Sequence, residues 1–392
     1  MTTDTAERLR RMPGVRATRR PVTPGGAAEF NLHHVRLSPP QAAPAPILVL
    51  PGGPGLASVL PYARLRAEAA ARGLDVLMVE HRGIGLSRTD DQGRDLPPEA
   101  LTVTQVVDDL AAVLDDHGLD RVVVYGCSYG TYLAQGLGVR HPERVAGMVL
   151  DSPMLTAHDS RVQRAELRRR YLDTRGLREL LEAGTVAAEE TGEVIQLVHE
   201  YGGPAQVRRL LDRLATGRGQ ALWRWLHGLG GKEITENTPY FMEFDLAGVP
   251  AFRELGYAPD PDGLPLDVNL SFAQRAKAFP AFAGEPFDLP AELPGFTWPV
   301  AVLSGERDLR TPRVIAAQIA DLAPDGVLVP LNGIGHSALD SHPLAALTAT
   351  AAVAAGNHRH LPALAARLSA LPRPARARTL ELLLRARLSL PW

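Results

Sequence analysis

The sequence predicts an α/β fold: a mostly parallel central sheet, helices on both faces and an inserted helical cap. Three observations carry that expectation. Short apolar runs at Ile47–Leu50, Val76–Val79, Val122–Tyr125 and Val145–Leu150 alternate with helical patterns. The rhythm breaks at about Ala157 and resumes at Val300–Ser304 and Val327–Leu331, each followed by a polar loop. Between the third run and its helix lies Gly126-Cys127-Ser128-Tyr129-Gly130, a sharp strand-to-helix turn bounded by glycines.

Composition narrows the class. The 392 residues are 45% hydrophobic and 22% charged with a formal net charge of −2, so nothing argues for binding nucleic acid. Cys127 is the only cysteine, which excludes an intrachain disulfide and a cysteine-based zinc site. Arginines 8, 10, 11, 16, 19 and 20 are not followed by an apolar stretch of the kind a secretory signal carries. No run reaches the length of a membrane span, and a soluble cytoplasmic protein is expected.

In chain order, residues 1–27 are basic and rich in Pro, Gly and Ala, and read as a partly mobile lead-in. Residues 28–156 form the first part of the α/β core. Within it Phe30–Leu37 reads as an antiparallel edge strand carrying His33 and His34 as strand residues rather than metal ligands. Tyr62–Arg72 is helical. Val103–His117 places Val106, Val107, Leu110, Val113 and Leu114 on one helical face, which packs on the sheet. Residues 157–290, charged and helical at first and aromatic later, form the cap. Residues 291–356 complete the core and end in a helix over Leu344–Ala355. Residues 357–392 are a tail with seven arginines against Glu381. Its Leu380, Leu383, Leu384 and Leu388 share a face that packs on its own domain or on a dimer mate, so self-association through the tail is one expectation and the oligomeric state stays open.

Gly-x-Ser-x-Gly between a strand and a helix is the pattern of a nucleophile elbow, in which Ser128 presents Oγ at the carboxyl end of the sheet. A serine is a weak nucleophile and needs a base, and the base needs an orienting acid. The chain order in this architecture is Ser, Asp or Glu, His, with the latter two in loops after late strands. Asp308 in Gly305–Pro312 and His336 in Asn332–Ser337 fall in those loops. Asp151, at the end of the strand after the elbow, is the competing acid. Asp308 is preferred because its loop follows the penultimate strand directly. Glu306 is expected to face away, towards Arg307 or Arg310.

Backbone N–H donors for an oxyanion are expected from Tyr129, the residue after the nucleophile, and from Gly52 or Gly53, with Gly53 preferred. Cys127 precedes the serine, so its side chain should point into the fold as a small buried filler.

Five stretches, PGGPG (51–55), HRGIGLS (81–87), GCSYGTYLAQ (126–135), GERDLRTP (305–312) and GIGHS (333–337), together resemble the prolyl aminopeptidase branch of the α/β-hydrolases. That branch, peptidase family S33, includes proline iminopeptidases and tripeptidyl aminopeptidases. The resemblance spans about residues 45–155 and 298–340. It implies the α/β-hydrolase fold, Ser128 as nucleophile, His336 as general base and acid, Asp308 as its orienter, Gly53 and Tyr129 as oxyanion donors, and no cofactor or metal. The chain departs from the family pattern at Pro51, usually histidine, and at Cys127, usually glycine. In the cap, Thr235–Phe241 is similar to the segment whose glutamate holds a substrate's free amino group, which nominates Glu236. Glu243 and Asp245 are close alternatives. A second family glutamate follows a tryptophan, whereas Leu226 follows Trp225 here. Trp225, Tyr240 and Phe241, with Trp223 and Phe244, are candidates to line an apolar pocket.

The leading expectation is a serine hydrolase of the aminopeptidase kind acting on a small molecule or short peptide. The alternative is the same machinery acting on esters, thioesters or lactones, or in acyl transfer. A catalytically silent binding protein on this fold is the third reading. An acid of the cap facing Ser128 separates the first from the second.

Overall fold

The computed structural model describes residues 2–41, 45–174, 176–230, 237–257 and 260–389. Their strands are β1 (Val15–Pro21), β2 (Glu29–Leu37), β3 (Ile47–Leu50), β4 (Val76–Val79), β5 (Val122–Cys127), β6 (Val145–Asp151), β7 (Val300–Gly305) and β8 (Gly326–Leu331). They form one sheet in the order β1-β2-β4-β3-β5-β6-β7-β8. β2 runs antiparallel to both β1 and β4, and every other pair is parallel.

The central strands are apolar throughout because both faces are covered. On β5, Val122 and Val124 point into the core beneath the helices Val103–Asp116, Tyr129–Arg140 and Arg313–Leu322. Val123, Tyr125 and Cys127 point into the opposite core, beneath Ala63–Ala70, Pro343–Ala354 and Leu361–Ser369. With β3 on one side and β6 on the other, β5 has no free edge, and the turn at its end is held by the whole sheet.

Two expectations need correction. Residues 1–27 are not a loose lead-in. Thr2–Arg10 is a helix, and β1 pairs with β2 over its whole length. It follows that the edge strand is β1 and that β2 lies one place inside. The arginines of β1 that disguised it suit an edge: Arg19 bonds Glu29 and Asp91, and Arg20 bonds Asp109. His33 and His34 do lie in β2.

Between β6 and β7 the described chain is helical, with Asp159–Tyr171, Leu177–Glu182, Ala188–Gly202, Pro204–Ala215, Gln220–Gly230, Phe244–Leu255 and Leu270–Arg275. Much of this layer shares a hydrophobic cluster of its own, which also takes in Leu309, Leu384 and Leu388. The last two belong to the C-terminal helix Thr379–Ser389, which packs on Ala188–Gly202 and Pro204–Ala215. Their burial contributes about 1.5–3 kcal/mol each. Arg213 Nη1 donates to the carbonyls of Arg387 and Leu388 at 3.1 and 3.3 Å, closing the helix's C-terminal end. Leu383, expected on the buried face, is 46% exposed.

Candidate active site

β5 ends at Cys127 and a helix begins at Tyr129, so Ser128 alone turns the chain. Its φ of 51° and ψ of −119° lie where L-residues rarely go. The turn is that tight because of its glycines. A Cβ on Gly126 would overlap Gly130 O, and one on Gly130 would overlap Leu50 O and Pro51 O. Tyr129 is the first helical residue, so its N–H has no acceptor within the helix. The loop after β3 lies against the serine: a Cβ on Gly52 would sit 3.1 Å from Ser128 Cβ, and Gly53 has a φ of 117°.

The loops after β7 and β8 bring Asp308 and His336 to the same place. His336 Nε2 stands 2.9 Å from Ser128 Oγ, and Nδ1 stands 3.0 Å from Asp308 Oδ2. A carboxylate only accepts, so the ring proton belongs on Nδ1 and Nε2 is free to accept from the serine hydroxyl. Asp308 is buried. Its Oδ1 accepts the N–H groups of Arg310 and Thr311 at 2.9 and 3.0 Å, and Oδ2 accepts the Thr311 hydroxyl at 2.9 Å. Burial pushes this carboxyl up, but facing His336 and these hydrogen bonds outweigh it and hold it below its ordinary value. Burial likewise pulls His336 down, and Asp308 more than reverses that.

Asp151, the competing acid, faces the back of this arrangement. It accepts from Tyr125 Oη and Leu339 N–H at 2.8 Å each and from Ala338 N–H at 3.1 Å, clamping the residues just after His336. Burial raises its pKa, opposite to Asp308. Cys127 is fully buried, its Sγ donating to Ser337 Oγ at 3.0 Å, and burial pushes the thiol well above its usual range. Glu306 accepts Gly333 N–H at 2.7 Å and so ties the two loops together.

A family model described as the alpha/beta hydrolase fold matches residues 45–200. Proline iminopeptidase from Heyndrickxia coagulans is 29% identical over 158 residues, 40% of this chain and 52% of that protein. That match therefore spans about half the relative's length. The crystal structure of proline iminopeptidase from Mycobacterium smegmatis superposes with a TM-score of 0.50 at 21% identity, covering 89% of this chain and 99% of that one. VinJ superposes with a TM-score of 0.53 at 16% identity over 87% of this chain and 98% of its own. At such identities the solved structures speak for the fold. The chain has the α/β-hydrolase fold.

In this fold Ser128 and His336 stand between two cavities. An inner pocket of about 200 Å³ lies under the helical layer and includes Asp159, Gln163, Glu193, Gln196 and Asn269. An outer groove of about 820 Å³ runs between Phe241 and Met242 on one side and Leu380, Glu381 and Leu383 of the C-terminal helix on the other. Gly53 borders both. Asp159 accepts from Leu155 N–H at 2.7 Å, and burial pushes its carboxyl up to about 6. Arg310 borders both cavities and is paired with Glu200 at 3.0 Å.

The cap candidates are placed differently from expectation. Glu236 lies outside the described residues. Glu243 is no pocket acid: it is buried behind the loop after β3, accepting Gly85 N–H at 2.5 Å with Arg88 at 3.7 Å. A buried carboxylate needs donors, and here the backbone of the HRGIGLS segment and an arginine supply them. Trp225 belongs to the cap core, with the Arg387 guanidinium stacked 4.2 Å over its ring. Tyr240 packs on the core beside the loop instead of lining either cavity, and Asp245 pairs with Arg88 at 2.8 Å. Phe241 and Phe244 are the aromatics of this group that line the groove, Phe244 buried and Phe241 exposed at the mouth with its carbonyl accepting Ala57 N–H at 3.0 Å.

The pocket acids Asp159 and Glu193 were missed. A carboxylate in an amphipathic helical stretch carries no mark in sequence of which cavity it meets. Among the described residues no three His, Cys, Asp or Glu side chains gather as a metal site, and no helix is long and apolar enough to cross a membrane.

Proposed function

We propose that this α/β-hydrolase is a serine hydrolase that cleaves an acyl bond through an acyl-enzyme and removes the first residue of a short peptide. The observation that carries the reading is the unbroken hydrogen-bonded line from Ser128 Oγ through His336 to Asp308. His336 Nε2 takes the hydroxyl proton as Oγ attacks the carbonyl carbon, and Asp308 holds the imidazolium that forms. The tetrahedral oxygen gathers its negative charge opposite the N–H groups of Gly53 and Tyr129, at a helix N-terminus that favours it. His336 then gives the proton to the leaving amine. Water repeats the sequence and frees the acyl group.

An aminopeptidase must also hold an ammonium. The inner pocket suits one, because it presents Asp159 and Glu193, the latter beside His227 at 3.3 Å, while Arg310, its bordering cation, is paired with Glu200. A second reading, hydrolysis of an ester, thioester or lactone, is favoured by the apolar flanks of the outer groove at Phe241, Leu380 and Leu383.

The test is turnover of alanyl and prolyl aryl-amides with free amino termini, their N-blocked forms and short aryl esters, by wild type and Ser128→Ala. The expected result is cleavage of free-amine amides that is lost on N-blocking and lost in the variant. Ester cleavage alone would move the protein to the second reading. No turnover of any substrate would contradict both.

A further inference from the structure

Asn269 stands immediately before the helix Leu270–Arg275, where an asparagine ordinarily turns its side chain back to bond the first N–H groups. Here it does not. Its backbone N–H donates to Asp267 Oδ1 at 3.0 Å, its carbonyl accepts Ala273 N–H at 2.9 Å, and its side chain makes no capping bond. The residue is only 7% exposed, its Nδ2 has no hydrogen-bond partner, and it lines the inner pocket that contains Ser128. A buried amide without a partner is destabilising, so a side chain that forgoes its cap for such a place implies a partner that arrives from outside.

Two of its neighbours in the pocket are of the same chemistry. Gln163 from Asp159–Tyr171 and Gln196 from Ala188–Gly202 border the same pocket, one from each of two helices. Three carboxamides thus line a space of about 200 Å³ next to the nucleophile, together with apolar residues such as Leu197, Leu255 and Phe272. Each amide offers donors and an acceptor, and a purely hydrocarbon acyl group would leave them unmatched.

We infer that the inner pocket selects an acyl residue whose side chain is itself a hydrogen-bonding group, a carboxamide or a hydroxyl, over proline or an aliphatic residue, and that Asn269 is the specificity-determining contact. The inference deepens the aminopeptidase reading and rests on the inner pocket holding the acyl side. Selectivity of this kind comes from the unmatched group: a site built to hydrogen-bond its substrate rejects the apolar isostere more strongly than a greasy pocket rejects a missing methylene.

The test compares glutaminyl, seryl, leucyl and prolyl aryl-amides with free amino termini on wild type and Asn269→Leu, with the N-acetyl amides and the aryl esters of the same residues as parallel series. Expected is a kcat/KM for the glutaminyl substrate at least about tenfold above the leucyl one, a ratio that falls to one or below in Asn269→Leu. Thermal unfolding of the variant should occur no lower than in wild type, since an unpartnered amide has been replaced by an apolar group; a merely structural asparagine would lower it. Leucyl or prolyl substrates preferred by wild type, or a ratio unmoved by Asn269→Leu, would overturn the inference. If N-acetyl amides or esters are the better substrates, the aminopeptidase reading falls while the glutaminyl-to-leucyl ratio in that series still decides the role of Asn269. No turnover in any series would overturn both.

Discussion

Ser128 sits in a backbone conformation that costs on the order of 1–3 kcal/mol, and the residues around it show why it persists. Gly126 and Gly130 let the turn close, Ser128 N–H bonds Asp151 O at 2.9 Å, and Thr131 N–H returns to Ser128 O at 2.8 Å. The two acids that competed on paper are then separated by their surroundings. Asp308 faces a histidine and is held low, whereas Asp151 faces neutral donors and is pushed up. The surroundings of His336 set its own titration: burial and Arg310 lower it, but Asp308 and Glu200 raise it, leaving it above the ordinary histidine value. His336 must be neutral to take the serine proton. The acid limb of kcat/KM should therefore lie at higher pH than an ordinary histidine would give, activity rising with pH through it. In Asp308→Asn the charge that raises the histidine is gone and burial remains. That limb should move to lower pH while kcat falls by roughly 10⁴. A pH–rate profile of both proteins checks the sign. At this scale the sequence was most legible where chemistry needs a residue type at a turn, as at Ser128, Asp308 and His336. It was least legible for Glu243, Asp159 and Asn269, because which cavity a side chain enters depends on packing between segments far apart in the chain.

Among elements, the strands and helices of the sheet were readable because both faces are buried and the apolar runs are continuous. β1 was not: its exposed edge carries Arg16, Arg19 and Arg20, and its partners Glu29, Asp91 and Asp109 come from elsewhere in the chain. The C-terminal helix was half readable. Its periodicity gave an apolar face, but the face divides between Leu384 and Leu388, buried in the cap core, and Leu380 and Leu383, which line the outer groove. That division makes the helix a wall of the site, with a ready internal control. Leu383 and its neighbour Leu382 are both exposed, at 46% and 51%, yet Leu383 borders the groove and Leu382 does not. Leu383→Asp should lower kcat/KM about tenfold for substrates with a bulky apolar group in the groove and spare those with a small one. Leu382→Asp should change neither, and both should unfold at the wild-type temperature. Steady-state kinetics on a pair of substrates differing only in that group reads the difference.

For the whole molecule, one sheet with two buried faces fixes the carboxyl ends of β3, β5, β6, β7 and β8 in a row, and Ser128, Asp308 and His336 are delivered by the turns and loops after β5, β7 and β8. The helical layer and the C-terminal helix then close space above them into an inner pocket that holds Asp159 and Glu193 and an outer groove flanked by Phe241, Leu380 and Leu383. Fold and the placement of Ser128, Asp308 and His336 are thus local consequences of strand ends and turns, while the walls of the two cavities come from elements converging from the helical layer and the C-terminal helix. The central claim, that Ser128 is the nucleophile, is most directly tested by treating the native protein with an organofluorophosphonate and mapping the adduct by peptide mass spectrometry. Stoichiometric labelling of the peptide containing Ser128, slowed in His336→Ala and absent in Ser128→Ala, is the predicted result; an adduct on another residue, or labelling that persists at the wild-type rate in Ser128→Ala, would contradict it.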